Sequence, residues 1–198
     1  NRDLNADGRA DLIIGAPTGG GGVGISYVFW GPMSGEKSVD EADAVFVGQA
    51  SGDRFGDALA VGPLVGDETY LAVGAPKWDG SGLNVGAVFV FDGQSAGEMD
   101  YSNADLVIEG SVGGGGFGQA IANLSDINGD GLQDLAVGAN GVGSGKGQVH
   151  LFFSPLSFSV AAEDADILWM AEDNGAAAGS KVQAVGDLNG DGYTNLAI

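Results

Sequence analysis

The chain has no cysteine, a single histidine and only seven lysines and arginines in 198 residues. Without cysteine, disulfides, thiolate metal sites and cysteine nucleophiles are excluded. The few basic residues face 27 aspartates and glutamates, for a net charge of −20. Phosphate backbones need clustered Lys and Arg, so nucleic acid is not a partner, and an anionic membrane surface is disfavoured for the same reason. No apolar run approaches the roughly 18 residues of a membrane span, so no transmembrane segment is expected. Proline is scarce at five residues, whereas glycine is abundant at 38. Glycine-rich composition suggests disorder only when it lacks a period. Here it has one.

Gly-Ala-Pro at residues 15–17 returns at 74–76 and, as Gly-Ala-Asn, at 138–140, in steps of 59 and 64. Phe55-Gly56 returns as Phe117-Gly118 and degenerates to Ala178-Gly179, in steps of 62 and 61. Ala-Asp precedes an apolar run at 42–43, 104–105 and 165–166. Three markers with one period of about 61 residues define an internal repeat, and a repeat governs the fold. Within a unit the apolar runs are short, rich in Val, Ile and Phe, and bounded by Gly or Asp, which is strand chemistry. The third unit shows the set: FGQAIANL (117–124), DLAVGA (134–139), GQVHLFF (147–153) and ADILWMA (165–171). The first two strands are built from small residues, and the outer two carry Phe29, Trp30, Phe46, Phe89, Phe91, Phe153 and Trp169. Four strands per repeat, narrow inside and bulky outside, with no convincing helix, predict an all-β segment of four-stranded antiparallel propeller blades.

Phe-Gly, an acidic loop and Gly-Ala-Pro in that order resemble the FG-GAP repeat of integrin α-subunit propellers and related bacterial proteins. The resemblance covers essentially all 198 residues. It implies that the acidic loop joins the first and second strands of each blade, and that the complete ring has seven blades. The expected units are a partial blade at 1–49, blades at 50–111 and 112–172, and a partial blade at 173–198, together one propeller segment.

The acidic loops carry the chemistry. DLNADGRAD (3–11), DINGDGLQD (126–134) and DLNGDGYTN (187–195) place oxygen side chains at positions 1, 3 and 5, glycine at 6 and an oxygen side chain at 9. Calcium takes six to eight oxygens at about 2.3–2.6 Å, and a glycine permits the turn that wraps the loop round it. The expected ligands are Asp3, Asn5, Asp7 and Asp11 in the first loop and Asp126, Asn128, Asp130 and Asp134 in the third unit. In the fourth they are Asp187, Asn189, Asp191 and Asn195. Position 7 supplies its backbone carbonyl, so its side chain varies as Arg9, Leu132 and Tyr193. Magnesium fits less well because it prefers near-ideal octahedra and keeps its waters. The expectation is two strong Ca²⁺ sites and a weaker one at 187–195, where Asn195 replaces the closing carboxylate. The second unit has lost the loop, and no site is expected at 65–69. Three ions would bring the net charge from −20 to about −14.

Other residues read as structural. His150 alternates with apolar neighbours in a strand and has no partner for metal binding or catalysis. Trp30 and Trp169 fall in outer strands, and Trp78, after Gly-Ala-Pro, is the better candidate for stacking on a ligand. GGGGVG (19–24) and GGGGFG (113–118) precede no helix with Lys or Ser/Thr, so they are inter-strand loops and not phosphate cradles. Asn123-Leu124-Ser125 is a lone glycosylation sequon beside a ligand loop that would crowd a glycan. No nucleophile with its base and no carboxylate pair in an apolar pocket emerges, so no enzyme activity is expected.

The function expected is a calcium-binding, extracellular or cell-surface, integrin-like module for adhesion, with a protein or glycan ligand. The alternatives are a structural subunit of a surface layer or filament pairing with like subunits, and a non-catalytic accessory domain of a secreted hydrolase. Little more than three blades are present, where closed propellers have about four to eight. The segment is therefore expected to belong to a longer polypeptide or an assembly.

Overall fold

The computed structural model describes residues 3–66, 68–157 and 160–198. Short glycine-bounded runs of β-branched and aromatic residues form fourteen strands there, and helical geometry is confined to single turns. The second unit is a complete antiparallel blade: β4 (Leu59–Val65), β5 (Glu68–Ala75), β6 (Ala87–Asp92) and β8 (Leu106–Glu109) pair in that order. The third repeats it with β9 (Phe117–Asn123), β10 (Leu135–Ala139), β11 (Gln148–Phe152) and β12 (Ile167–Met170). In the first unit β1 (Leu12–Ala16), β2 (Ile25–Phe29) and β3 (Ala44–Val47) pair antiparallel. The fourth contributes a hairpin of β13 (Gln183–Ala184) and β14 (Leu196–Ala197). The chain is a partial β-propeller.

The blades stack face to face, so a middle strand is buried on both sides and shows no polar alternation. In β5, Leu71, Val73 and Ala75 point into a core shared with Phe46 and Val28 of the first blade. The alternate residues Tyr70 and Ala72 point into the next core, with Phe117, Leu135 and Val137 of the third. A third cluster, including Ala136, Val149 and Val182, joins the third blade to the fourth.

The repeat markers are the contacts between blades. A Cβ placed on Gly15, Gly74 or Gly138 would stand 2.0, 2.2 or 1.9 Å from the carbonyl oxygen of Gly56, Gly118 or Gly179 respectively. Each Gly-Ala-Pro glycine therefore lies bare against the Phe-Gly glycine of the following blade. The Ala-Asp marker has a different task. The Asp43, Asp105 and Asp166 carboxylates accept the N–H of Trp30, Asp92 and Phe153, 13 residues back in every case, at 2.7–2.8 Å. That bond holds the end of the third strand to the start of the fourth.

One strand crosses between units. β7 (Gly97–Asp100), from the connection between β6 and β8, pairs parallel with β3 of the first blade. The matching connection of the third unit reaches β8 through a parallel bridge of Ala161 to Glu109. The outer edge of the first blade is thus covered, which guards it against pairing with other chains, and that of the second is met at its last residue.

The residue before Phe-Gly, or before Ala178-Gly179, is left-handed in the second, third and fourth units: Arg54 at φ +61°, Gly116 at +67° and Ala177 at +54°. A side chain in that conformation costs roughly 1–2 kcal/mol, and glycine is spared the cost. Ala177→Gly is expected to stabilise the folded chain by about 1 kcal/mol, net of the entropy that glycine adds to the unfolded state. Urea unfolding checks it, and a destabilised variant would contradict it.

Candidate metal centre

Three loops of the same sequence pattern fold into the same hydrogen-bonded frame. Position 1 folds the loop around itself. The Asp126 carboxylate accepts the N–H groups of Gly129 (2.5 Å), Asp130 (3.1 Å) and Gly131 (2.8 Å). Asp187 does the same with Gly190, Asp191 and Gly192, and Asp3 with Asp7 and Gly8. The position-3 amide oxygens of Asn5, Asn128 and Asn189 accept the N–H of Asp7, Asp130 and Asp191. One oxygen each of Asp7, Asp130 and Asp191 accepts the N–H of Arg9, Leu132 and Tyr193.

Position 9 is the anchor. The Asp134 side chain is fully buried, with its Oδ2 accepting the N–H of Ile127 and its Oδ1 that of Ser154, just past the end of β11. Asp11 is bonded in the same way to Leu4 and Gly31. Asn195 accepts the Leu188 N–H at 2.8 Å, the counterpart of the Leu4 and Ile127 bonds. Tyr193 lies over the third loop, its hydroxyl 3.4 Å from where a Cβ on Gly129 would stand. The second unit has no comparable loop. β4 and β5 close with Val65 opposite Glu68, and Asp67 lies outside the described residues.

The electrostatics are one-sided. The two ion pairs among the described residues, Lys37–Glu41 and Arg54–Asp57, lie outside the acidic loops. Burial raises the pKa of Asp134, opposed by the Ile127 and Ser154 N–H groups, and the charges of Asp130 and Asp126 push it further up. For Asp126 desolvation is outweighed by backbone N–H bonds from Gly131, Gly129, Asp130 and Asn128, and its pKa is lowered. Asp187 is lowered chiefly by the Gly192 N–H.

Of the described acidic residues, Asp53, Asp57, Asp79, Glu109, Glu172 and Asp173 lie at the opposite end of the blades, with Arg54, Lys77, Lys146 and Lys181. The acidic-loop carboxylates lie at the other end, with Asp43, Glu68, Asp92, Asp105 and Asp166 at the strand ends beside them and Arg9 as the basic residue in those loops. The excess of acidic over basic side chains is thus greatest at the end with the acidic loops.

The donor set suits a hard divalent ion, being all oxygen, several-fold anionic and without a cationic side chain as partner. The position-5 carboxylate is bonded within the loop on both oxygens. Its second oxygen faces the position-3 amide N–H₂, at 3.5 Å in the first loop, 2.9 Å in the third unit and 2.8 Å in the fourth. The amide thus occupies an oxygen that an ion would need. Among the described residues no three acidic or histidine side chains are gathered as closely as metal ligands are, so binding requires the amide to turn and the loop to tighten. Asp3, Asn5, Asp7 and Asp11, and their counterparts in the other two loops, would hold the ion, with the carbonyls of Arg9, Leu132 and Tyr193. The ion would supply charge neutralisation and a cross-link from loop to strand.

The remaining candidates settle into the frame of the fold. The Trp78 indole packs edge-on to Phe89 at 5.6 Å, donates to Gln49 at 2.6 Å and is overlain by Gly80. It is not a free stacking platform, because the loop after Gly-Ala-Pro folds back on the blade. Trp30 packs against the first core. Trp169 takes the place in its strand that Phe46 and Ile108 take in theirs, and is 48% exposed. The Asn123 amide nitrogen donates to Val61 of the preceding blade and to Gln133, both at 2.8 Å, and fills the space left by Gly62. A glycan on that nitrogen would break both bonds.

His150 is buried between Phe117 and Phe152, with Nδ1 2.9 Å from the Ala162 carbonyl. Desolvation lowers its pKa below 6.5, against the Ala162 bond. A depressed folded-state pKa contributes stability that is present above the unfolded value and lost as pH falls through the folded one. In chelator, the His150 share of the unfolding free energy is expected to be lost as pH drops from about 7 to 5, so the difference in stability between wild type and His150→Gln should change across that window. A difference independent of pH would contradict it. Asp126 and Asp187, lowered from 3.8, act in a more acidic window.

A sequence model described as the FG-GAP repeat matches residues 2–29 and 117–152, the stretches that hold the first and third-unit acidic loops. The chain carries FG-GAP repeats. Bovine phosphatidylinositol-glycan-specific phospholipase D is 36% identical over 172 residues, which is 79% of this chain and 20% of that protein. Integrin alpha-PS5 of Drosophila melanogaster is 37% identical over 151 residues, 70% of this chain and 14% of the integrin. Integrin alpha-M of the mouse is likewise 37% identical over 151 residues, covering 70% and 12%. The chain therefore spans about a fifth or less of the length of these relatives. No helix among the described residues of the FG-GAP segment is long and apolar enough to cross a membrane.

Proposed function

We propose that this FG-GAP segment is a calcium-binding, extracellular or cell-surface propeller module that recognises a protein or glycan ligand and has no catalytic activity of its own. The observation that carries the reading is the common loop frame. Three loops share one bonding pattern, an oxygen-only donor set and no cationic partner. The integrin relatives support the adhesive role. With cations held at the acidic end, the nearly charge-balanced end, where glycine-rich loops leave the blades, is the surface for the ligand.

A second reading is favoured by the phospholipase likeness: the segment is the non-catalytic companion of a hydrolase, and catalysis lies elsewhere. Binding of the chain to panels of extracellular proteins and glycans, with calcium and with chelator, tests the first reading. Binding that needs calcium is expected. Ligand binding indifferent to calcium, or hydrolysis of a glycosylphosphatidylinositol by this chain alone, would contradict it.

A further inference from the structure

Asn128 and Asn189 are each followed by glycine within an acidic loop, and so differ from Asn5, which is followed by Ala6. We propose that Asn128-Gly129 and Asn189-Gly190 are sites of spontaneous deamidation, and that conversion to isoaspartate disables the loop that contains it. The loss of the cation site rests on the reading above; the modification does not.

The reaction needs an accessible side-chain amide and an unhindered backbone nitrogen on the next residue. That nitrogen gives its proton to a solvent base and bonds to the asparagine Cγ. The bond from Cγ to the amide nitrogen then breaks, and ammonia leaves with a proton from water. Water opens the cyclic imide at one carbonyl to give aspartate, or at the other to give isoaspartate. The balance is asparagine plus water to acid plus ammonia, and nothing is oxidised or reduced. Glycine at the following position removes the side chain that would block the attack and leaves the backbone free to rotate.

The structure separates the asparagines that meet these conditions from those that do not. Asn128, Gly129, Asn189 and Gly190 are all exposed. Their glycine N–H groups are held by bonds local to the loop, to Asp126 and Asp187, which open without unfolding a blade. Asn174-Gly175 is also exposed, in a loop at the other end of the blades, and has no ligand role. Asn140-Gly141 has the same sequence but is locked. The Gly141 N–H donates to Gly115 at 2.9 Å, and a Cβ on Gly141 would meet the Gly114 carbonyl at 2.1 Å. Asn5 sits in an equivalent loop but faces the nitrogen of an alanine.

The consequence follows from the loop frame. Isoaspartate inserts a methylene into the backbone at position 3. That moves the Asp130 N–H away from the residue-128 side chain, to which it is bonded at 2.8 Å. The fraction of chains that forms isoaspartate would lose the loop of the third or fourth unit with age, while the first unit keeps its own.

The test is peptide mass mapping of the whole chain, aged in mildly alkaline buffer with chelator in one arm and saturating calcium in the other. In chelator, Asn128, Asn174 and Asn189 are expected to convert several-fold faster than Asn5 and Asn140. Ala6→Gly, which also relieves a residue at φ +60°, is expected to raise Asn5 to the rate of Asn128. Calcium should slow Asn128 and Asn189 several-fold and leave Asn174 unchanged. If Asn140 converts as fast as Asn128, or Asn128 and Asn189 outlast Asn5, the inference is overturned. Conversion of Asn128 at one rate in both arms would instead strike at the cation reading and leave the modification standing.

Discussion

Chelation is expected to lower the melting temperature of this chain by about 10–20 °C relative to saturating calcium, given roughly 2–4 °C per kcal/mol for a domain of this size. An ion bound only by the folded form stabilises by RT ln(1 + [L]/Kd), about 2.7 kcal/mol per site at a hundredfold excess over Kd. Two full loops supply most of the shift, and the loop ending in Asn195 adds less. Asp130→Ala is expected to remove the third unit's share in calcium and to cost little in chelator. In the metal-free chain Asp130 raises the pKa of buried Asp134 by charge repulsion, so its removal relieves strain as well as losing a ligand. Identical melting curves in calcium and chelator would mean that the loops are plain Asx turns.

Gly74→Ala is the second large effect. The added methyl would stand 2.2 Å from the Gly118 carbonyl oxygen and 3.2 Å from its carbon and from Ile121 Cδ1. Gly118 cannot give way, being left-handed at φ +89° beside the buried Phe117. Ordinary overpacking costs about 1–3 kcal/mol, and a backbone-on-backbone clash belongs at or above the top of that range. The packing between the second and third blades should suffer first. Gly66→Ala is the comparison: Gly66 is left-handed at φ +74°, as Gly74 is not, but has open space around it. It should cost about 1 kcal/mol, the conformational penalty alone. Equal urea midpoints for the two variants would refute the inter-blade role of the Gly-Ala-Pro glycine.

The period of the repeat was legible because its markers are backbone requirements. Gly15, Gly74 and Gly138 have no room for a side chain, and Asp43, Asp105 and Asp166 each satisfy one strand-end N–H. Requirements of that kind recur wherever the geometry recurs, and so they show in the letters. β7 was not legible. Gly-Glu-Met-Asp is short, polar and without alternation, and its pairing with β3 uses main-chain groups that carry no sequence signature.

The acidic loops were legible as oxygen-rich turns, and their equivalence is plain in the spacing. The special place of Asp11 and Asp134 was not, because a carboxylate at position 9 reads like those at 1 and 5. Its burial depends on Gly31 and Ser154, 20 residues away, which bring an N–H beneath it. Trp78 misled for a related reason. A tryptophan in a loop reads as available until the loop is seen to fold back onto Phe89.

Equilibrium calcium binding to the chain, counted by dialysis or calorimetry, tests the central claim most directly. The account predicts two sites of similar affinity in the roughly 10⁻⁴–10⁻³ M class of extracellular modules and a third, weaker one. Asp130→Ala should lose one of the stronger pair, and magnesium should compete poorly. A chain that binds no calcium at millimolar concentration, or that binds the same number of ions after Asp7→Ala and Asp130→Ala together, would contradict it.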